Sequence, residues 1–365
     1  MMYTNEDKII MWLSSFDFLT YKKIKAIIDN FDDIEDLFDC LDDYKADLLK
    51  IIKLEEYVSI KEQRNLVLVE RAIAEYEKLD IKVLTIKSNE YPELLKETDA
   101  PPIMLYCRGN IDLLKTECLA VVGTRRATNY GKTMCKKIVN DVAMQGITIV
   151  SGLADGIDTV AHKSTLEVNG KTIAVLGAGL LNIYPSSNEG LYNDIIKNGG
   201  LIISEYKPSE PVVTYHFPVR NRIIAGLSKA TFVVEAGEES GSMHTKNYAL
   251  DYGREVFALP ARINDIYSVG CNKLIKCGQA RMLLGSEDII EFYGASKPKE
   301  EKIQALSLSF DEQKIYDALE LNELGLDELK LNTGIEPKVL LTTLMRLEIR
   351  GIIKKLPGNI YTIDR

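Results

Sequence analysis

Two arginines lie in a loop that nearly has the sequence of a nucleotide-binding phosphate loop. Residues 121–133 read VVGTRRATNYGKT, so an apolar run leads to Gly123 and, after the arginines, to a GKT triplet that begins at Gly131. The phosphate loop of ATPases follows G-x-x-x-x-G-K-[ST], which lets successive backbone N–H groups surround the phosphates. Arg126 stands where the first glycine is required. We therefore expect no nucleoside triphosphatase, and any phosphate to be met by the guanidinium groups of Arg125 and Arg126.

The segment HFPVRNRIIAGLS contains a second basic cluster. Arg220 and Arg222 flank Asn221, and Phe217 precedes them. If Pro218 lies in the first turn of a helix, the free N–H groups and the dipole of that turn attract anions beside these side chains. An aromatic ring next to guanidinium groups is typical of sites that grip single-stranded nucleic acid.

A turn of small residues precedes a third candidate segment, SMHTKNYALDYG. The turn consists of Ser240, Gly241 and Ser242, and Lys246 follows in the first turns of the predicted helix. Backbone N–H groups exposed at such a helix start bind anions. An N-cap serine followed by an exposed lysine is the structural alternative.

A structural alternative also exists for the arginine cluster. Phe217 fills the core in that interpretation, and the arginines pair with carboxylates such as Glu205 or Glu235. On an extended segment, residues two apart point the same way, whereas on a helix they diverge by about 200°. The sequence leaves the two interpretations open.

The sequence contains no recognisable catalytic or metal-binding set. His162, His216 and His244 are far apart, and the six cysteines form no CxxC pair. The GAGLLN stretch lacks the third glycine of a dinucleotide fingerprint. We predict no enzymatic activity, metal or cofactor, and free thiols in a reducing cytoplasm.

The strands and helices that must position these residues follow from the apolar pattern. Short apolar runs alternate with helical segments: CLAVVG, ITIVSG, TIAVLG, LIISEY, ATFVVEAG and EVFALP. Near-continuous apolar strands between helices predict a doubly wound, mainly parallel α/β sheet covered on both faces. Ligands of such sheets bind at the carboxyl ends of the strands, which is where all three candidate segments begin.

Three domains are predicted for the 365 residues. Residues 1–80 carry apolar residues at spacings of three and four and predict a helical domain of the SAM or helix-hairpin-helix kind. Residues 81–295 predict the Rossmann-like core, and residues 296–365 predict a winged helix of three helices and a hairpin. No apolar run is long enough to predict a membrane span.

The distribution of charge limits where a polyanion would bind. The chain has a net charge of −9. Residues 1–60 contain 7 Lys and Arg against 14 Asp and Glu, whereas residues 81–295 contain 23 of each. A local basic patch within the neutral region is compatible with a nucleic-acid partner.

The motifs taken together resemble one protein family. VVGTRRATNYG, SGLADGID, AVLGAGLLNIYPSSN, FPVRNRIIAGLS and VVEAGEESGSMHTK occur in the order found in the DNA-processing protein A family, DprA or Smf, over roughly residues 85–292. The resemblance implies an extended Rossmann-like fold without enzymatic activity that binds single-stranded DNA as a homodimer. It also implies protection of incoming strands in natural transformation (competence), and loading of the RecA recombinase in DNA recombination.

The resemblance assigns DNA contacts at the carboxyl edge of the sheet. They are the first-loop arginine Arg125, the ring of Phe217, the pair Arg220 and Arg222, and the serine turn with Lys246.

A nucleotide-binding enzyme is the alternative function. The same architecture is similar to nucleoside-monophosphate phosphoribohydrolases, whose PGGxGTxxE signature supplies a glutamate for glycosidic cleavage. The matching stretch, from Ser240 to Ala249, contains no glutamate, so hydrolysis by this route is disfavoured. Binding of a small nucleotide stays open.

Overall fold

The computed structural model describes residues 3–238, 240–295, 308–321, 323–356 and 358–363. The chain divides into two compact units, residues 1–296 and 297–365. The N-terminal helices and the α/β sheet both lie in the first unit, and a boundary between them near residue 80 remains a prediction.

The N-terminal part of the first unit is helical, as the spacing of apolar residues predicted. The first helix begins with a capping box, in which Thr4 and Asp7 each bond the backbone N–H of the other. Its buried face, which includes Ile10 and Trp12, contributes to the main core cluster. The six helices are α1 (Asn5–Leu13), α2 (Tyr21–Asn30), α3 (Ile34–Asp39), α4 (Lys45–Leu48), α5 (Leu54–Glu62) and α6 (Val67–Lys78).

A nine-stranded sheet forms the centre of the first unit. Its strands are β1 (Lys82–Thr85), β2 (Met104–Gly109), β3 (Cys118–Val122), β4 (Thr148–Ser151), β5 (Thr172–Val175), β6 (Leu201–Ser204), β7 (Ala230–Val233), β8 (Glu255–Ala258) and β9 (Arg281–Met282). The spatial order is β1-β2-β6-β5-β4-β3-β7-β8-β9, and only the β1–β2 and β2–β6 pairs are antiparallel. The chain order reverses between β3 and β7, which creates the switch point where doubly wound folds bind ligands.

Both faces of the sheet are covered by helices. These are α7 (Glu93–Lys96), α8 (Asn129–Met144), α9 (Ile157–Glu167), α10 (Glu189–Lys197), α11 (His216–Gly226), α12 (Ser242–Asp251), α13 (Val269–Lys276) and α14 (Ser286–Phe292), with short 3-10 helices at Ile111–Lys115 and Ser186–Asn188.

Alternation along β3 shows how the two faces separate. Leu119 and Val121 belong to the cluster that contains Ile138 of α8, whereas Ala120 and Val122 belong to the cluster that contains Ile223 of α11. Successive side chains on a strand point to opposite faces. The predicted fold class, a mainly parallel sheet covered on both faces, is therefore confirmed.

The second unit is a winged helix. It contains α15 (Phe310–Leu321), β10 (Leu324–Gly325), α16 (Leu326–Thr333), α17 (Pro337–Ile349), β11 (Ile353–Leu356) and β12 (Ile360–Ile363), with antiparallel strands in the order β10-β12-β11. Gly334 ends α16 in the left-handed conformation at φ 67°, which suits glycine. The predicted three helices and hairpin are confirmed, and β10 adds a short third strand.

Among the helices that the structure describes, none has the length and apolar character needed to cross a bilayer.

Candidate nucleic-acid interface

A groove of about 640 Å³ lies at the carboxyl ends of the central strands. Its walls come from the loops after β3, β4, β5 and β7 and from the start of α11. Most of the predicted site residues line this groove: Arg125, Arg126, Phe217, Arg220, Asn221, Ser240, Gly241 and Ser242. Segments that are up to about a hundred residues apart in the sequence therefore meet, as expected for a doubly wound sheet.

Arg125 and Arg126 are the exposed cations of the groove wall. The guanidinium carbon of Arg125 lies 5.8 Å from the centre of the Phe217 ring, within the range of a cation–π contact. Gly156, at φ 82°, lets the start of α9 approach this loop, since an added Cβ would lie 2.4 Å from the Thr124 carbonyl oxygen. The loop thus packs against the start of α9, while the side chains of Arg125 and Arg126 are exposed to solvent.

Two aromatic rings form one side of the groove. Phe217 is half-buried, and its ring centroid lies 5.3 Å from that of Tyr184. Tyr184 is 45% exposed and lines the groove. Sequence reasoning did not select Tyr184, although its position in the loop after the third parallel strand, β5, was a usable signal. The two rings, tilted by 43° to each other, offer an apolar surface beside the Arg125 charge.

Arg220 is buried beneath the groove rather than extended into it. Only 4% of it is exposed, and its guanidinium donates to the carbonyl oxygens of Gly152, at 2.8 Å, and of Val175. Burial lowers the pKa of Arg220 to about 10, and the nearby Asp158 carboxylate opposes this shift. Arg220 therefore fastens the carboxyl ends of β4 and β5 to α11 and presents little of its charge to a ligand.

Asp158 completes this internal network. Its carboxylate accepts the backbone N–H groups of Gly152, at 3.1 Å, and Ala154. Burial raises the pKa of Asp158, and the positive charge of Arg220 opposes the rise. The two buried side chains carry opposite charges that attract each other, and they lie beneath the groove.

Arg222 lies outside the groove, which differs from the expectation that it meets Arg125 and Arg220 at the carboxyl edge of the sheet. It is 9% exposed and forms an ion pair with Glu205. Burial raises the pKa of Glu205, and the Arg222 charge opposes the rise. The segment is helical here, so side chains two apart diverge. The carboxylate pairing that the sequence left open is the arrangement found for this arginine.

Lys246 also lies outside the groove lining. Its side chain is buried to 8% exposure, and its Nζ lies 3.4 Å from Oε1 of Gln279. Burial lowers the pKa of Lys246. The physical reason is its position as the fifth residue of α12, where its side chain points to Gln279 in the connection between α13 and β9.

The serine turn is tied to α11. The hydroxyls of Ser240 and Ser242 are 2.8 Å apart, and Nδ2 of Asn221 donates to the Gly241 carbonyl oxygen at 3.2 Å. Asn221 thus joins two walls of the groove.

The remaining candidates for chemistry are structural. His162 is fully buried with its Nδ1 2.7 Å from the Thr172 hydroxyl, and burial lowers its pKa to about 3. None of the six cysteines, all of which are described, forms a disulfide. Within the described ranges, no group of three or more His, Cys, Asp or Glu side chains could hold a metal ion.

Comparison with known proteins places this architecture in a family. The family model described as DNA recombination-mediator protein A matches residues 82–294, and the DprA winged helix domain matches residues 299–359. The DNA processing protein DprA of Bacillus subtilis is 40% identical over 222 residues, which cover 60% of this chain and 74% of that protein. Protein Smf of Escherichia coli is 38% identical over 290 residues, 75% of each chain.

Two solved structures are similar in fold. DprA of Streptococcus pneumoniae matches with a TM-score of 0.61 and 36% identity, over 80% of this chain and 98% of that one. DprA of Helicobacter pylori, whose structure was described for its single-stranded DNA binding mode, matches with a TM-score of 0.53 and 33% identity, over 58% and 95%.

Fold and comparisons together define a DNA recombination-mediator protein with an extended Rossmann-like core and a winged helix. The chain belongs to the DprA/Smf family of DNA-processing proteins. The resemblance of its motifs to that family is thereby confirmed. Its relatives are named as DNA-processing proteins rather than as enzymes.

Proposed function

We propose that this chain binds single-stranded DNA along the groove. Backbone phosphates lie against Arg125 and Arg126, and at least one base stacks on Phe217 or Tyr184. The observation that carries the proposal is the Arg125 guanidinium beside the Phe217 ring, with the second ring adjacent. Guanidinium groups hold phosphates and aromatic rings hold unpaired bases, so the arrangement fits a single strand better than a duplex.

The other residues first assigned to DNA take two roles in this proposal. Asn221 and the turn from Ser240 to Ser242 form the far wall and contribute polar contacts. Arg220, Arg222 and Lys246 hold the scaffold, since their buried side chains already have partners within the protein.

Removing both exposed arginines tests the site. The change Arg125→Ala with Arg126→Ala is expected to weaken binding of a fluorescent oligo(dT) at least tenfold. Since each phosphate contact contributes about −0.7 to the slope of log K against log salt, the slope should flatten by about 1.4. Duplex DNA of equal length is expected to bind the wild-type protein more weakly than the single strand.

A matched control carries the same change of charge elsewhere. Arg71 and Lys78 are exposed on α6 and do not line the groove. Arg71→Ala with Lys78→Ala should leave both affinity and slope near the wild-type values. Equal losses in the two double variants would mean that net charge, rather than the groove, determines binding.

We propose further that the protein acts as a homodimer in the cytoplasm and passes bound strands to a RecA recombinase in recombination or natural transformation. The family resemblance supports this role, and free cysteines fit a reducing compartment. RecA filament formation on protein-coated single strands, with and without this chain, tests the transfer. Analytical ultracentrifugation tests the dimer.

The enzymatic alternative has no support at the expected position. The stretch from Ser240 to Ala249, which would have to supply the catalytic glutamate, contains none. We do not propose nucleotide hydrolysis.

A further inference from the structure

A buried carboxylate lies at the start of α8, directly beneath the loop that carries Arg125 and Arg126. Glu235 follows β7 and is 0% exposed. One of its carboxylate oxygens accepts the backbone N–H of Thr128 at 2.8 Å, and the other accepts the Thr128 hydroxyl. Thr128 is also the N-cap of α8, because its hydroxyl oxygen accepts the backbone N–H of Gly131. The carboxylate therefore lies where free N–H groups and the helix dipole favour an anion.

The backbone of the same residue holds the other end of the loop. The carbonyl oxygen of Glu235 accepts the backbone N–H of Thr124 at 2.7 Å. The segment from Thr124 to Thr128 is thus fixed at both ends by one residue, with the two arginines between. Fixing both ends reduces the conformations that the loop must lose when a ligand binds, so the arginines are preorganised.

Gly131 provides the space for this carboxylate. A Cβ added to Gly131 would lie 2.2 Å from the carboxylate carbon and from one carboxylate oxygen of Glu235, so any side chain would displace it. The glycine of the GKT triplet therefore makes room for the Glu235 carboxylate, which explains its presence without nucleotide binding. The place that a phosphate takes in a phosphate loop is filled by a carboxylate of the protein itself.

We propose that Glu235 is a positioning and selectivity residue of the groove. Its carboxylate acts as the hydrogen-bond acceptor built into the arginine loop, and holds Arg125 and Arg126 towards the phosphodiesters of a polynucleotide. The same negative charge keeps the phosphate of a free nucleotide away from the start of α8. The positioning role rests on the proposed binding of single-stranded DNA, whereas the exclusion of free phosphate does not.

Gly131→Ala tests the positioning role without changing any charge. The added methyl group should displace the carboxylate, speed hydrogen exchange of the Thr128 amide, and weaken binding of oligo(dT) about tenfold. Gly190→Ala is the matched control, because Gly190 lies in the first turn of α10 and an added Cβ there meets nothing within 4 Å. The control should match the wild type in both measurements.

Glu235→Ala tests the exclusion of phosphate. This variant removes both the bulk and the charge of the side chain. In ³¹P NMR titrations, inorganic phosphate at millimolar concentration should therefore bind to the variant and not to the wild type. Glu235→Gln keeps the shape and should restore most of the oligo(dT) affinity lost in Glu235→Ala. If Glu235→Ala does not fold, Glu235→Asp replaces it in the exchange and oligo(dT) measurements, and Glu235→Ser, which also removes the bulk and the charge, replaces it in the phosphate titration.

Three outcomes distinguish the positioning role, the exclusion of phosphate and the proposed binding of single-stranded DNA from one another. Wild-type affinity and slow Thr128 exchange in both Gly131→Ala and Glu235→Ala would overturn the positioning role. Phosphate binding by the wild type, or none by Glu235→Ala or by the Glu235→Ser variant used in its place, would overturn the exclusion. If the wild type fails to bind oligo(dT), the proposed function and the positioning role both fall, while the phosphate titration still decides the exclusion.

Discussion

Arg220 and Arg222 are separated by one residue and lie in different environments. Arg220 donates to carbonyl oxygens at the ends of β4 and β5, and Arg222 is paired with Glu205 away from the groove. Removing one partner of a buried ion pair leaves the other charge without compensation. We therefore expect replacement of either arginine to lower the free energy of unfolding, and to affect ligand binding only as a consequence.

Arg222→Ala is expected to destabilise the protein by about 3–5 kcal/mol, because it removes the ion-pair partner of the largely buried Glu205 carboxylate. Urea unfolding followed by circular dichroism measures this change. Replacing both partners, as in Glu205→Leu with Arg222→Met, should cost less. An Arg222→Ala protein of wild-type stability that no longer binds oligo(dT) would instead make Arg222 a DNA contact.

His162 makes stability depend on pH. Its pKa is about 3 in the folded protein, against about 6.5 when unfolded, because burial disfavours the charged ring. The unfolded chain binds the extra proton first, so this stability is complete above pH 6.5 and is lost as the pH falls towards 3. The free energy of unfolding should drop by about 2 kcal/mol more between pH 7 and pH 5 in the wild type than in His162→Gln. Equal drops in urea titrations would show that His162 does not contribute.

At the scale of elements, the groove exists because loops of a parallel sheet collect at the carboxyl ends of its strands. The winged helix offers a different surface. The outward side of α17 carries Leu341, Met345 and Ile349 at intervals of four, with Met345 62% and Ile349 84% exposed. Arg350, directly after the helix, is paired with the carboxylate of Glu312, while Lys338 and Arg346 on the helix are exposed. The exposed carboxylates of Glu336 and Glu348 balance these two cations, and apolar side chains do not neutralise phosphates, so this helix is poorly suited to nucleic acid.

Truncation after residue 295 is therefore expected to leave the affinity for oligo(dT) within about twofold of the full chain. Gel shifts of both proteins with single-stranded and duplex oligonucleotides provide the measurement. A tenfold loss on truncation would assign part of the DNA contact to the winged helix.

At the scale of the whole molecule, a net charge of −9 coexists with a groove that we propose as the site for a polyanion. The first 60 residues contain 7 Lys and Arg against 14 Asp and Glu, whereas residues 81–295 balance at 23 of each. Salt screens exposed charges beyond about 10 Å at 0.1 M, so distant carboxylates hardly weaken a local contact with Arg125 and Arg126. Net charge alone is thus a poor guide to partners when the cations are concentrated in one loop.

The sequence by itself determined the alternation of strands and helices, the winged helix and the edge of the sheet at which Arg125, Phe217 and the serine turn meet. These follow from local patterns, because apolar runs, glycines and prolines act on neighbouring residues. The ordered motifs were also sufficient to predict the family.

Only the tertiary structure decided which charged side chains reach the groove. Arg222 and Lys246 point inward, and Glu235 lies under the loop after β3, more than a hundred residues away in the sequence. The direction of a side chain and its burial depend on the packing of several elements at once, and no local pattern records that packing. For the same reason the sequence did not reveal Tyr184, whose ring lies beside that of Phe217 in the folded protein.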